Sequence, residues 1–175
     1  MKFDIHAKVN ATADKVWKAF ADDFDGAYVW MASIPHSYGV ENGPKFDGAE
    51  SVGRVCEISP NPNGLRVSEK FLAYDKETKT CTVRIDFVNT PFIFPIDHNR
   101  LEFEVRAAGD SQSDMTFGFR SQLKPWAFFM WPIIRLAFGV FVGQIVEELK
   151  FFVENDVPHP RKIKAMNKSK PIASA

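Results

Sequence analysis

Alternation of apolar and polar residues along several segments is the feature that most limits how this chain can fold. The first segment places Phe3, Ile5, Ala7 and Val9 on one side and polar residues on the other. A period of two residues is typical of a β-strand with one buried face. Later segments give further buried faces: Ile34, His36, Tyr38 and Val40; Val52, Arg54, Cys56 and Ile58; Leu65, Val67, Glu69 and Phe71; Cys81, Val83, Ile85 and Phe87; Asn99, Leu101, Phe103 and Val105; Met115, Phe117, Phe119, Ser121 and Leu123. Short turns between consecutive strands predict an antiparallel sheet with one packed face.

Helical spacing appears at both ends of the strand region. Thr12 is a candidate N-cap for a short helix that begins at Ala13, and a second short helix or turn is expected from Phe24 to Met31. Near the C-terminus one predicted core-facing side contains Phe138, Phe141, Val142, Ile145, Val146, Leu149, Phe152 and Val153. We therefore predict an α+β fold, in which a curved antiparallel sheet of about six to seven strands wraps around a long C-terminal helix, with two short helices after strand one.

The residues before that core-facing side are unusually apolar. Pro132 and Arg135 divide the stretch 125–143 into pieces shorter than the roughly 20 residues of a membrane-spanning helix, so no span is expected. Ile133, Leu136 and Val140 point away from the core-facing side, and with the large apolar residues from Trp126 to Trp131 they exceed what a monomer normally leaves exposed as one patch, so another cover is needed. A movable lid is the first hypothesis, because Pro132 favours a break, a homodimer is the second, and weak membrane-surface contact is the third.

Composition and charge exclude several classes of protein. The 175 residues are 45% hydrophobic and carry 22 basic and 22 acidic side chains, which fits one globular domain and does not favour nucleic acid. No signal peptide is evident, and two cysteines do not suggest a disulfide framework, so a cytoplasmic protein is expected. We expect the domain at residues 1–155. The basic segment 156–175 is expected to be a solvated tail, with anionic lipid as a minority alternative.

Several short motifs resemble one family. They are Val16-Trp17, Trp30, Gly53-Arg54, Glu69 with Asp75, Pro91-Phe92, Asn99 and EELKFFVEN at 147–155. With the order of elements, they resemble the START-like superfamily, also called SRPBCC, in its polyketide cyclase/dehydrase branch, from Met1 to Asn155. The resemblance implies the helix-grip fold and a deep apolar cavity between the sheet and the last helix, used for lipids, hormones or polyketides. Residues 126–135 depart from the family pattern.

Polar residues on the predicted buried faces are the candidates for recognition, because burying a charge is costly unless it is paired or used. Arg54 is expected to meet Glu69 on the next strand, either as a structural ion pair or to bind the polar head of a ligand; the opposite strand phase would bury Glu57 instead. Asn99 suits either a backbone bond or recognition of a carbonyl or hydroxyl group. His36 could reach the mouth of a cavity.

The function predicted is binding or carriage of a hydrophobic small molecule. The expected ligand-binding residues are Trp30, His36, Arg54, Glu69, Phe87, Asn99, Phe103, Phe117, Phe119, Phe138 and Phe141. One alternative is an enzyme similar to the polyketide cyclases, with Glu69 or His36 as general base. A second is a self-associating protein whose cavity is filled. No catalytic triad, zinc motif or nucleotide-binding loop is recognisable, so we assign no catalytic residue, metal or cofactor.

Overall fold

The structure is a computed structural model that describes residues 1–59, 61 and 63–169. Its elements, in chain order, are β1 (Lys2–Val9), α1 (Ala13–Trp17), a π-helical turn (Lys18–Asp22), a 3-10 turn (Phe24–Gly26), α2 (Ala27–Trp30), β2 (His36–Val40), β3 (Gly53–Glu57), β4 (Arg66–Asp75), β5 (Thr80–Val88), β6 (Ile96–Ala107), β7 (Ser113–Leu123), a 3-10 helix (Pro125–Met130), α3 (Trp131–Asn155) and α4 (Pro160–Ser169). Thr12 caps α1 as predicted, since its hydroxyl accepts a hydrogen bond from the Lys15 amide.

The seven strands formed by the described residues make one antiparallel sheet in the order β1-β7-β6-β5-β4-β3-β2. Strands β2 to β7 form a meander, and β1 joins it beside β7. A long C-terminal helix and short helices after β1 complete the helix-grip fold. The predicted fold class is confirmed.

The predicted inward faces are correct on most strands. In β4 a bulge between Phe71 and Ala73 changes the phase, so Tyr74 becomes the next buried side chain. The prediction for β2 is wrong, because Ser37 faces inward while His36 and Tyr38 are exposed. Ser37 is held there by two hydrogen bonds: its hydroxyl donates to the Asp25 carbonyl and accepts from the Tyr28 amide.

Aromatic side chains fill the interior between the sheet and the early helices. The ring centroids of Phe20 and Phe103 are 4.0 Å apart, and those of Phe103 and Phe117 are 4.9 Å apart. Trp17 stacks on Phe103 from the side of α1. Helix α3 contacts β1, α1 and α2, so the core is enclosed by helices on one face of the sheet.

Helix α3 begins at Trp131, so the break expected at Pro132 lies next to the change from the 3-10 helix to the α-helix, and no gap separates the two. Pro132 lies in the first turn, where its missing N–H leaves no hydrogen bond unmade. Together with the preceding 3-10 helix, α3 forms a helical segment of 31 residues, Pro125–Asn155, that is long and apolar enough to cross a membrane by length and composition. The expectation that Pro132 and Arg135 cut this stretch into short pieces is therefore wrong.

The segment after α3 also differs from the expected solvated tail. Residues Pro160–Ser169 form helix α4, in which Lys162 is buried and donates a hydrogen bond to the Ile34 carbonyl at 2.8 Å. Arg161 donates to the Glu148 carboxylate of α3 at 2.8 Å. These bonds fix α4 to the domain.

Candidate functional site

A row of buried side chains crosses five adjacent strands on the inner face of the sheet. The strand register places Arg54 opposite Glu69, Glu69 opposite Ile85, Ile85 opposite Asn99, and Asn99 opposite Ser121. Residues directly opposite in neighbouring strands share a face, so these five side chains form one line. Four of the five are polar or charged, and all are buried. We call this line the polar row.

One end of the polar row is an ion pair. The Arg54 Nη2 and Nε atoms lie 2.6 Å and 2.8 Å from the same Glu69 oxygen, Oε2. Arg54 Nη1 donates to the Phe24 carbonyl at 2.7 Å, and its guanidinium lies 4.0 Å from the centre of the Phe24 ring. The pair thus ties the 3-10 turn after α1 to the sheet. The predicted meeting of Arg54 with Glu69 is observed, and Glu57 instead lies partly exposed, 3.7 Å from Arg66.

The other end of the polar row has unmet hydrogen-bonding capacity. Asn99 Oδ1 and Ser121 Oγ have no hydrogen-bond partner among the residues that the structure describes. Asn99 is 2% exposed and Ser121 is 5% exposed, so neither side chain is open to bulk solvent. A buried polar atom without a partner costs about 1–3 kcal/mol, so such a pair calls for a bound water or a ligand.

Apolar side chains border the polar row on both sides. On one side, the Phe119 and Phe138 rings meet edge to face at 5.4 Å, and Phe138 reaches there from α3. On the other side, Phe87 packs against Phe94 at 4.8 Å. A polar pair between apolar walls is the usual composition of a small-molecule site.

The remaining predicted site residues are placed differently. Phe103, Phe117 and Trp30 are fully buried, and Phe103 and Phe117 pack on other core rings. Phe141 was expected on the core-facing side of the last helix, but it is 43% exposed. His36 is exposed between Tyr28 and Tyr38, on the face opposite to Glu69. These two burial predictions are wrong.

Ser121 is the residue that the sequence analysis did not assign to the site. It was recognised as inward-facing, but only its position opposite Asn99 gives it a role. Cys56, two residues after Arg54 on the same face of β3, is unreactive, since burial raises the pKa of its thiol to about 12. The described residues contain no group of three or more His, Cys, Asp or Glu side chains that could hold a metal ion.

The fold and the comparisons with known proteins identify the family. A seven-stranded antiparallel sheet around a long C-terminal helix defines the helix-grip fold, which this chain shares with a START superfamily protein. A family model described as polyketide cyclase / dehydrase and lipid transport matches residues 1–151. The chain belongs to this family. Comparison with curated protein sequences gives no match.

Solved structures with the same fold include distant relatives. A START superfamily protein from Mycobacterium smegmatis superposes with a TM-score of 0.69 at 11% identity, covering 89% of this chain and 99% of that one. Truncated norcoclaurine synthase from Thalictrum flavum gives 0.58 at 15% identity, covering 89% and 94%. The ginseng major latex-like protein 151 from Panax ginseng gives 0.57 at 13% identity, covering 86% and 95%. At these identities the similarity establishes the fold.

Proposed function

We propose that this protein binds or carries a hydrophobic small molecule, lipid-like or polyketide-like, between the sheet and α3. The observation that carries the proposal is the pair of buried, unpartnered atoms on Asn99 and Ser121, opposite each other in the polar row. Membership of a family described by polyketide chemistry and lipid transport supports the same class of ligand.

The chemistry of this pair selects the polar group of the ligand. The side-chain amide oxygen of Asn99, Oδ1, accepts a hydrogen bond, while the Ser121 hydroxyl both donates and accepts. A hydroxyl group placed between them donates to Asn99 and accepts from Ser121. The apolar body of such a molecule then lies against Phe87, Phe119 and Phe138, which border the row.

A ligand needs an opening to reach the polar row, because the row is closed to solvent in this structure. A small apolar cluster of Ile96, Leu123, Ala127 and Ile134 adjoins the row, and Phe87 and Phe138 pack against both this cluster and the main core. In our proposal the ligand enters where this cluster parts from the main core, since fewer apolar contacts must be broken there.

The enzymatic alternative has less support from the geometry. It needs Glu69 or His36 as a general base, but the Glu69 carboxylate accepts hydrogen bonds from Arg54. His36 lies on the other face of the sheet. Binding without catalysis is therefore the function we propose.

The experiment begins with native mass spectrometry of the full chain purified from its own host, which detects a copurifying passenger. The test variant is Ser121→Ala, and the matched control is Gln122→Ala, the next residue of β7 on the exposed face. We expect Ser121→Ala to lower the affinity for the passenger about fivefold to tenfold, which corresponds to one hydrogen bond. The ligand-free variant should be at least as stable as the wild type, because a buried group without a partner is removed.

Two observations together would contradict the binding proposal. If no passenger is found and Ser121→Ala lowers the unfolding free energy by about 1 kcal/mol, the pair holds a structural water and the binding proposal fails. Gln122→Ala should change neither quantity.

A further inference from the structure

We propose that one end of this protein docks onto the surface of an anionic lipid bilayer. The docking surface, which we call the end patch, consists of the exposed apolar side chains of residues 126–140 together with Phe92 and Ile93. Phe129 is 93% exposed and Phe92 is 88% exposed, so these rings project into solvent. Contiguous apolar surface of this kind marks an interaction site in a folded protein. The inference does not depend on the ligand-binding proposal.

The end patch is one surface built from two segments of the chain. The Lys124 amide donates a hydrogen bond to the Pro95 carbonyl at 2.9 Å, which joins the β5–β6 loop to the start of the 3-10 helix. Beneath the surface, Ala127 and Ile134 are buried in one cluster with Phe94 packed against it. The projecting rings therefore stand on a packed base, and Phe128 and Phe129 are 68% and 93% exposed, whereas a lid closed over a cavity would bury them.

Charge around the end patch favours anionic lipid. The sequence contains no Asp or Glu from Ser121 to Val146, whereas Lys124 and Arg135 lie within that stretch. The loop segment 87–96 likewise contains no acidic residue, and the aspartates at its two ends, Asp86 and Asp97, lie 3.0 Å from Arg84 and 2.8 Å from His98. An apolar surface flanked by cations, with no carboxylate within its own segments, complements a bilayer with negative headgroups.

The patch is suited to lie in the bilayer surface and not to cross the bilayer. Although Pro125–Asn155 is long and apolar enough to span, Val142, Leu149 and Val153 are fully buried in the core. A span would extract these side chains from the protein. Trp126 and Trp131, at the exposed end of the segment, are residues that prefer the interface between lipid and water.

A second copy of the chain fits the end patch less well. A symmetric dimer through this surface would gather two copies each of Lys124 and Arg135 in one interface, with no carboxylate in residues 121–146 to offset their repulsion. A groove beside the patch, lined by Phe3, Leu136 and Gly139, could nevertheless accept a ring from a second molecule. The test therefore includes the oligomeric state.

The experiment measures binding of the full chain to vesicles of phosphatidylcholine alone and with about 30 mol% phosphatidylserine. Intrinsic fluorescence reports on the patch directly, because Trp17 and Trp30 are buried while Trp126 and Trp131 are exposed. We expect a blue shift and co-sedimentation with the phosphatidylserine vesicles. The double variant Phe92→Ser/Phe129→Ser should lower the partition coefficient by about tenfold or more.

Leu72→Ser is the matched control, since Leu72 is an exposed apolar residue of β4 outside the end patch. It should bind vesicles like the wild type. Wild-type protein that binds neither vesicle overturns the proposal, and so does a double variant that binds as well as the wild type, which would indicate the basic helix α4 instead. A wild-type dimer that becomes monomeric in the double variant also overturns it, in favour of self-association.

Discussion

At the scale of single residues, the Arg54–Glu69 pair shows how a buried charge is retained. Arg54 has three kinds of partner, namely the Glu69 carboxylate, the Phe24 carbonyl and the Phe24 ring. Gly53 allows this approach, because a Cβ atom there would lie 2.1 Å from the Glu69 carbonyl oxygen. The pair therefore links β3, β4 and the 3-10 turn through contacts that no apolar side chain supplies.

The first prediction concerns Glu69→Gln. We expect it to lower the free energy of unfolding by about 2–4 kcal/mol, because Arg54 stays buried without its counter-charge. Glu57→Gln is the control, since Glu57 is a partly exposed carboxylate beside Arg66 and its loss should cost less than about 1 kcal/mol. Urea unfolding measures both variants. A Glu69→Gln midpoint equal to that of the wild type would contradict the assignment of Glu69 as a buried ion.

At the scale of elements, α4 is held by a small set of polar bonds. Glu148 of α3 is 3% exposed, and its carboxylate accepts from the Ala32 amide at 2.9 Å and from Arg161 at 2.8 Å. Lys162 is buried beside them, and burial lowers its pKa. The family match ends at residue 151, so α4 is an addition to the matched domain.

The prediction at this scale is that Arg161→Met destabilises the protein by about 1–2 kcal/mol. Glu148 would keep the Ala32 bond and the neighbouring Lys162 but lose its hydrogen-bonded cation, and the cost is below that of a fully buried pair because Arg161 is partly exposed. Lys164→Met removes the same charge from an exposed position of α4 and should be nearly neutral. Thermal unfolding compares the two. Equal midpoints would mean that α4 is not docked through Glu148.

At the scale of the whole molecule, the described apolar core is divided in two. The main cluster fills the space between α1, α3 and the sheet, and the small cluster contains Ile96, Leu123, Ala127 and Ile134. Phe87 and Phe138 pack against both. Because the small cluster buries less apolar surface, it should open more readily than the rest.

Amide hydrogen exchange tests this division. We expect the amides of Lys124 and Ala127, which bond to Pro95 and Lys124, to exchange about tenfold or more faster than those of Phe103 and Phe117. A bound passenger should slow the faster group. Similar protection at all four amides would show that the clusters open as one unit, and ligand entry would then need another route.

Much of the fold could be predicted from the sequence, because the burial of alternate side chains in a strand is a local property. The period of two identified the inward faces, including Arg54, Glu69 and Asn99, and adjacent strands brought Arg54 to Glu69. The exposure of Ile133, Leu136 and Val140 was also predicted correctly. Their helical spacing placed them away from the core-facing side, which depends only on the chain itself.

Tertiary structure decided what depends on register and packing partners. Ser121 lies opposite Asn99 because bulges and turns set the register of β6 and β7, which the sequence pattern alone does not determine. Phe141 is exposed because the buried stripe of α3, through Val142, Val146, Leu149 and Val153, is narrower than its apolar face. In β2, the two hydrogen bonds between Ser37 and the segment from Asp25 to Tyr28 outweighed the apolar pattern. Local periodicity determines which side chains of an element can be buried, whereas the neighbouring elements determine which of them are buried in fact.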